Sequence, residues 1–371
     1  MSTPHFHELC IRRVTPEAAG AVALTLAVPP ALRERFRFKP GQFLTLRATI
    51  GGAPLHRSYS ICSPLARYER TQELEVGIKP VSGGAFSNWA ATQLKAGDTL
   101  QVMPPDGRFT PRVAGARRRV GFAAGSGITP LLSIIASTLD AEPDSHFTLV
   151  YGNQRVNTIL FHEALQDLKD RHPARLTLIH LLSRQPQEVA LLNGRLDEAK
   201  VAALLCSVLR VDRMDEVFIC GPEGMIDATE RALRAAGLPK ERIHTERFFS
   251  ADTEPAIKIE ASRAVSTGDK AFSTSETAPD VTLDVVIDGK THRFGMRAGD
   301  RVLAVALEAG MDLPYSCKGG VCCTCRARVL EGRVEMEKNF TLEPWEIERG
   351  FVLTCQARPL TSRVVVSYDD R

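Results

Sequence analysis

The spacing of apolar positions changes along the chain. Near the start they alternate with small or polar residues. "AVALTLAVP" (21–29) and "GQFLTLRATI" (41–50) show the two-residue repeat of half-buried strands, with Pro and Gly as punctuation. "PGQF" (40–43) and "AGDTLQVMPPDG" (96–107) are turn-bounded pieces of the same kind. Together they predict a small antiparallel β-barrel over residues 1–112. From 113 to 249 the repeat becomes strand–helix alternation. "RRVGFAAGSGITPLLSIIASTL" (118–139) reads as a strand, a Gly loop and a helix. Strands "HFTLVYGN", "RLTLIHLLS" and "DEVFICGP" then alternate with helices "ILFHEALQDLKDRH", "EAKVAALLCSVL" and "EGMIDATERALRAAG". This is the signature of a doubly wound α/β domain with a parallel sheet.

Residues 250–280 are rich in Ser, Thr, Asp, Glu and Ala with little apolar period, which predicts a linker. "AIKIEAS" (256–262) leaves an edge strand plus loop as the alternative there. Beyond it, "VTLDVVIDGKTHRF" (281–294) predicts two strands joined at Asp288-Gly289. "DRVLAVALEAGM" (300–311) has helical spacing and stops at Gly310. "RARVLEGRVEM" and "SRVVVSYDD" add strands, so residues 281–371 form an α+β unit. The chain is therefore multidomain. Its 371 residues allow this at roughly 100–200 residues per domain.

The net charge of +3 gives no sign of a nucleic-acid or membrane partner. No apolar run approaches the ~20 residues of a membrane helix. The opening "MSTPHFHELC" lacks a basic segment followed by an apolar core, so the expectation is a cytoplasmic protein without a signal peptide. Thiols stay reduced there, and the odd total of nine cysteines fits a disulfide framework poorly.

The densest chemistry is "YSCKGGVCCTC" (315–325). Cys317, Cys322 and Cys325 stand in the spacing C-x4-C-x2-C, and Cys355 follows at a distance in "LTCQ". That is the spacing of a plant-type [2Fe–2S] ligand set. Thiolates must converge on a small anionic cluster, so the loop wraps tightly. Gly319 and Gly320 permit left-handed backbone and bring N–H groups to the sulfurs. Counting Cys323 as a ligand instead would give crowded x5 and x1 spacings, which leaves it as a small packed residue. Structural zinc is the competing reading. It favours two short cysteine pairs, and only one is present.

Three further motifs are weak singly. In "HRSYSICS" (56–63), an extended backbone puts Arg57 and Tyr59 on one face, suited to a phosphate and a flat ring. Taken alone, the tetrapeptide reads better as an exposed Arg beside a half-buried Tyr. "SGGAFSNW" (82–89) offers free N–H groups at a helix start, or merely a turn. "AAGSGITP" (123–130) sits at the first strand-to-helix switch, where a pyrophosphate would lie, but it is not G-x-G-x-x-G.

Their order is more telling. "RSYS", "GGAFSN", "GSGITP" and "CGP" at these separations resemble the ferredoxin–NADP reductase superfamily. The C-terminal segment resembles a plant-type ferredoxin of β-grasp fold. The whole chain resembles the reductase components of bacterial multicomponent oxygenases. "RFKPGQFLTLRA", "FTLVYGN", "ICGPEGM" and "LPYSCKGGVCCTC" are similar to the reductase-subunit family of ring 1,2-phenylacetyl-CoA epoxidases in phenylacetate catabolism.

The resemblance implies three cofactors: FAD, NADPH (with NADH possible) and a [2Fe–2S] cluster. It implies that Arg57 and Ser58 bind FAD, that Tyr59 stacks on its ring and that Ser60 sits at the reacting edge. Gly84, Ala85, Phe86 and Ser87 would hold the FAD pyrophosphate. Gly125, Gly127 and Thr129 would cradle that of the nicotinamide dinucleotide. Cys220, Gly221 and Pro222 would lie at hydride transfer, where a buried strand-end thiol is the plain alternative for Cys220. Ser183, Arg184 and Arg195 resemble the set that binds the 2′-phosphate. An aromatic residue expected two positions further on is replaced by Asp197. The implied partner is a di-iron oxygenase component of a multisubunit complex. A reductase for another aromatic-ring or steroid hydroxylase, or a redox-sensing module, is the alternative.

Overall fold

In the computed structural model the described residues are 5–113, 115–248 and 280–370. The expected linker, including "AIKIEAS", lies outside them apart from Asp280. The chain divides into two compact units, the first ending at Phe248 and the second containing residues 280–370.

The first unit opens with strands β1 (His7–Pro16), β2 (Val22–Ala27), β3 (Phe43–Ile50) and β4 (Ala53–Ser60). Helix α1 (Leu65–Thr71), β5 (Glu73–Ile78), α2 (Ala85–Gln93) and β6 (Thr99–Val102) follow. The six strands make one antiparallel sheet in the order β4-β3-β6-β1-β2-β5. It curls until its edges meet, where Ile61 bridges Val76 and the Cys62 N–H donates to Glu75 O at 2.8 Å. The alternation of β2 and β3 turns Leu24, Leu26, Leu44 and Leu46 into the interior, all with no exposure. Each such burial contributes about 1.5–3 kcal/mol.

β7 (Arg118–Ala124), α3 (Ile128–Ala141), β8 (His146–Asn153), α4 (His162–Arg171) and β9 (Leu176–Leu182) begin the second layer. α5 (Glu198–Ser207), β10 (Glu216–Gly221), α6 (Glu223–Ala235) and β11 (Ile243–Arg247) complete it. The five parallel strands run in the order β11-β10-β7-β8-β9. Strand order reverses between β7 and β10, and in open α/β sheets a ligand binds beyond the C-terminal ends of the strands at such a switch point.

The sheet and the curled sheet share a core. α3 is buried almost throughout, and its Ile128, Leu131 and Ile135 pack with Ala21, Ala23 and Cys62 of the strand-rich half. Serines in this apolar helix find partners across the boundary: Ser133 Oγ donates to Ser63 O (2.8 Å), and Leu65 N–H donates to Ser137 Oγ (3.0 Å). At the opposite end of the sheet the fully buried Glu216 accepts from the N–H groups of Arg112 and Val113, from Arg119 and from His244. Burial alone would raise its pKa, yet these donors hold it down at about 2. They pin the segment that joins the two halves.

The second unit contains β12 (Val281–Ile287), β13 (Lys290–Met296), α7 (Val302–Glu308), β14 (Arg326–Glu331) and β15 (Val334–Met336). It ends with α8 (Pro344–Glu348), β16 (Phe351–Leu353), β17 (Ala357–Pro359) and β18 (Arg363–Ser367). Its main sheet has the order β13-β12-β18-β14-β16, with β12 and β18 parallel, and β15–β17 form a separate pair. The β12–β13 turn uses positive φ at Asp288 (50°) and Gly289 (70°), as the Asp-Gly pair requires. α7 buries Val302, Leu303 and Ala306 against the sheet. This is the β-grasp architecture that the resemblance implied.

Candidate functional site

The cleft of the first unit gathers residues from remote strands. On β4, Tyr59 is half-buried against Phe86 of α2, their ring centres 5.8 Å apart, so the "RSYS" and "GAFS" segments meet. Burial pushes the Tyr59 phenol well up, and it stays protonated. Arg57 shares its face and donates to His56 O (2.8 Å). Ser58 points the other way, to Thr45 Oγ1 at 3.1 Å, and Ser60 is buried at the strand end. α2 starts after Gly84. Its Ser87 hydroxyl accepts from Val81 N–H (3.2 Å), which makes that hydroxyl a brace for the turn. The first-turn N–H groups of a helix have no intrahelical acceptors and suit a phosphate.

At the switch point, "GSG" after β7 turns into α3. A side chain at Gly127 would place its Cβ 2.0 Å from Cys220 O, so only glycine lets this loop lie against the end of β10. The loop is tied down by Tyr151, whose hydroxyl donates to Gly125 O (2.8 Å). Thr129 Oγ1 donates to Ser126 O (3.0 Å). Cys220 is fully buried and its thiol pKa lies well above the usual range, through burial and then the charge of Glu246. Gly221 and Pro222 carry the chain from β10 to α6. The parallel Leu182–Asn193 bridge and the Gly194 N–H to Leu182 O bond (2.9 Å) bring together the two segments that carry Ser183, Arg184 and Arg195, and both arginines are exposed. Asp197, the residue in the place of an aromatic one, caps α5 by accepting from Lys200 N–H (2.8 Å).

Two residues of this cleft escaped the sequence reading. Lys79, just beyond β5, brings its Nζ to 3.7 Å from where a Gly125 Cβ would sit, a cation at the glycine loop. Glu246, half-buried, lies opposite Cys220 in the β10–β11 register, and desolvation pushes its carboxyl pKa up to about 8. Neither has a local motif. Lys79 follows an ordinary strand, and β11 is a short edge strand of mixed polarity.

In the second unit Cys322, Cys325 and Cys355 are buried, and Cys317 is partly exposed. The thiols pair, Cys317 with Cys322 and Cys325 with Cys355. The Cys322 thiol holds Cys317 down at about 6 against the effect of burial, aided by N–H groups of Gly319, Val321 and Cys322. Cys355 is lowered by Cys325 first, and Gln356 and Gly320 also lower it. The Gly319 N–H reaches Cys317 Sγ at 3.3 Å. Left-handed backbone falls at Lys318 (52°), Gly320 (80°) and Cys323 (57°), so one of the two glycines plays the expected part and Lys318 takes the other. A side chain on Gly320 would also meet Lys338 O at 2.9 Å. Cys323 packs in the core of the unit.

Among the described residues no group of three or more His, Cys, Asp or Glu is arranged to hold one metal ion. The C-x4-C-x2-C spacing with one distant cysteine suits two irons sharing four thiolates better than one tetrahedral zinc.

Three family models match in chain order. They are an oxidoreductase FAD-binding domain over residues 19–110, an oxidoreductase NAD-binding domain over 122–231 and a 2Fe-2S iron-sulfur cluster binding domain over 285–360. The chain belongs to the ferredoxin–NADP reductase superfamily, among members with a C-terminal plant-type [2Fe–2S] ferredoxin domain. It is an NAD(P)H-dependent flavin and iron–sulfur reductase. It is 43% identical, over 98% of both chains, to the E subunit of 1,2-phenylacetyl-CoA epoxidase from Escherichia coli (strain K12). It is 35% identical to the ferredoxin reductase component of 3-ketosteroid-9-alpha-monooxygenase from Rhodococcus rhodochrous, over 97% of this chain and 96% of that one. The solved structure of phthalate dioxygenase reductase shares the fold, with a TM-score of 0.58 at 20% identity over 98% of each chain. Among the described residues no helix is long and apolar enough to cross a membrane.

Proposed function

We propose that this reductase carries electrons from NADPH, by way of FAD and a [2Fe–2S] cluster, to a di-iron oxygenase, the phenylacetyl-CoA 1,2-epoxidase of phenylacetate catabolism. One observation carries the electron-transfer reading: an FAD-binding, an NAD-binding and a 2Fe-2S cluster binding domain occur in one chain. The choice of oxygenase rests on the likeness to the Escherichia coli epoxidase component. The working domains are 1–112 for FAD, 113–249 for the nicotinamide dinucleotide and 281–371 for the cluster, with 250–280 as linker. We place the protein in the cytoplasm, where its free cysteines stay reduced.

Bound FAD supplies conversion between a two-electron hydride and single electrons. The chain supplies position and charge. Arg57 and the N–H groups of Gly84, Ala85 and Phe86 hold the flavin's phosphates, with Ser87 bracing their turn and Ser58 bracing β4. Tyr59 is the flat wall for the ring, and Ser60 lies at its reacting edge. Gly125, Gly127 and Thr129 cradle the second pyrophosphate, with Lys79 as its countercharge. Cys220, Gly221 and Pro222 shape the meeting point. Glu246, protonated at neutral pH, holds a proton beside Cys220. Ser183, Arg184 and Arg195 favour NADPH over NADH, because guanidinium groups pair with a 2′-phosphate. Cys317, Cys322, Cys325 and Cys355 are the cluster ligands. One covalent chain raises the effective concentration of the cluster for the flavin.

The deciding experiment measures NADPH-driven electron delivery to purified oxygenases. The expected result is turnover with the phenylacetyl-CoA epoxidase, a visible spectrum with flavin and iron–sulfur bands, and bleaching of both by anaerobic NADPH. Preferential turnover with a 3-ketosteroid hydroxylase would establish the second reading, which the Rhodococcus likeness favours. No reduction of an artificial acceptor would leave a sensor.

A further inference from the structure

We propose that the buried side chain of Gln356 sets the reduction potential of the cluster by donating an N–H to the Cys355 sulfur. The inference rests on the assignment of the four cysteines as ligands. Gln356 is 2% exposed. Its Nε2 lies 2.8 Å from Lys318 O, 3.0 Å from Cys355 O and 3.6 Å from Cys355 Sγ. Three acceptors around one atom identify it as the nitrogen end of the amide. The main chain fixes the residue too: its N–H donates to Leu353 O (2.8 Å), and its carbonyl accepts from Glu337 N–H (3.2 Å). Its Cγ would lie 3.3 Å from a Gly320 Cβ, so the side chain runs directly beneath the cysteine loop.

This amide is therefore held on both sides. One partner is the loop that carries Cys317, Cys322 and Cys325, and the other is the remote ligand Cys355. Reduction of a cluster adds negative charge that is shared onto its sulfurs, and a donor fixed at a sulfur favours the reduced state. Water is excluded here, so the bond is not replaced when it is lost. The amide has two N–H groups for three acceptors, so its bond to sulfur is the longest arm of a shared donor, and an apolar replacement also gives up the bonds to Lys318 O and Cys355 O.

The test is an EPR-monitored redox titration of the full-length holoprotein. Gln356→Met keeps the volume and removes the donor, and Gln356→Glu puts an acceptor in its place. The expected result for Gln356→Met is a roughly tenfold lower ratio of reduced to oxidised cluster at the same applied potential, a downward shift of about 59 mV. Gln356→Glu shifts further in the same direction, and Gln356→His, which can still donate, shifts less than Gln356→Met. Iron content and the flavin spectrum stay at wild-type values. Full cluster content with the wild-type potential in both Met and Glu variants overturns the inference. So does loss of iron from all three variants, which would make Gln356 a brace for the loop only. Wild-type protein with no [2Fe–2S] signal would instead remove the cluster assignment on which the inference rests.

Discussion

The cysteine loop and the nucleotide cleft are built in opposite ways. Three of the four thiols lie between residues 317 and 325, and one distant strand end brings Cys355 to them. The cleft draws on Arg57, Lys79, Gly127, Cys220 and Glu246, spread over most of the first unit, and no two of these are near neighbours in sequence. A cluster needs a few sulfurs at short range, so a single tight loop supplies most of the site. A dinucleotide is long, and its phosphates and rings must be met by several elements at once. The loop site should therefore fail in an all-or-none way, and the cleft should fail by degrees.

The largest expected effect tests the first half of that contrast. Cys355→Ser should abolish the cluster while flavin content and NADPH-dependent reduction of ferricyanide persist. Iron analysis and the visible spectrum read it directly, and an unchanged centre would break the comparison. Next is Gly127→Ala. The added methyl meets backbone on β10 rather than a flexible side chain, so a loss of about 2–4 kcal/mol in stability is expected, with a raised KM for NADPH. Urea unfolding and steady-state kinetics check the two parts.

Arg57→Ala should be graded. Loss of hydrogen bonds to a charged group costs about 1.5–3 kcal/mol, or roughly 10–100-fold in FAD affinity, without unfolding the barrel. Fluorescence of released FAD measures it. Glu246→Gln sharpens the cleft side through pH. The folded pKa of about 8 lies above the ordinary 4.5, so the folded protein keeps a proton that the unfolded chain has released. Its contribution is fully present below 4.5 and is lost as pH rises to about 8. The variant should show a shallower fall in urea midpoint across that window, and an unchanged slope would remove the desolvated-carboxyl account. Smallest of all, Cys323→Ala should keep its iron and cost less than about 1 kcal/mol. Appreciable iron loss would mean that the spare thiol had been wrongly chosen.

The same contrast governs what could be read before folding. The alternation in "GQFLTLRATI" and the strand–helix repeat after residue 115 are local patterns, and β3 and the parallel sheet follow them. β1 and β11 were not legible. "HELCIRRVTP" interleaves charge without a clear period, and "IHTER" is five residues on a sheet edge, so each becomes a strand through its neighbours. Asp197 illustrates the limit of motif reading. The position suggested a lost stacking residue, whereas the structure uses the carboxylate to start α5.

By itself the sequence determined the three-part order, the C-x4-C-x2-C spacing of the cysteines and the glycine-rich loops, because each depends on residues a few positions apart. The tertiary structure alone decided that Lys79 faces the glycine loop, that Glu246 stands beside Cys220 and that Gln356 reaches Cys355 from beneath the cluster loop. Those placements follow from strand register and shared cores. They come from the burial of apolar faces far from the polar groups they bring together.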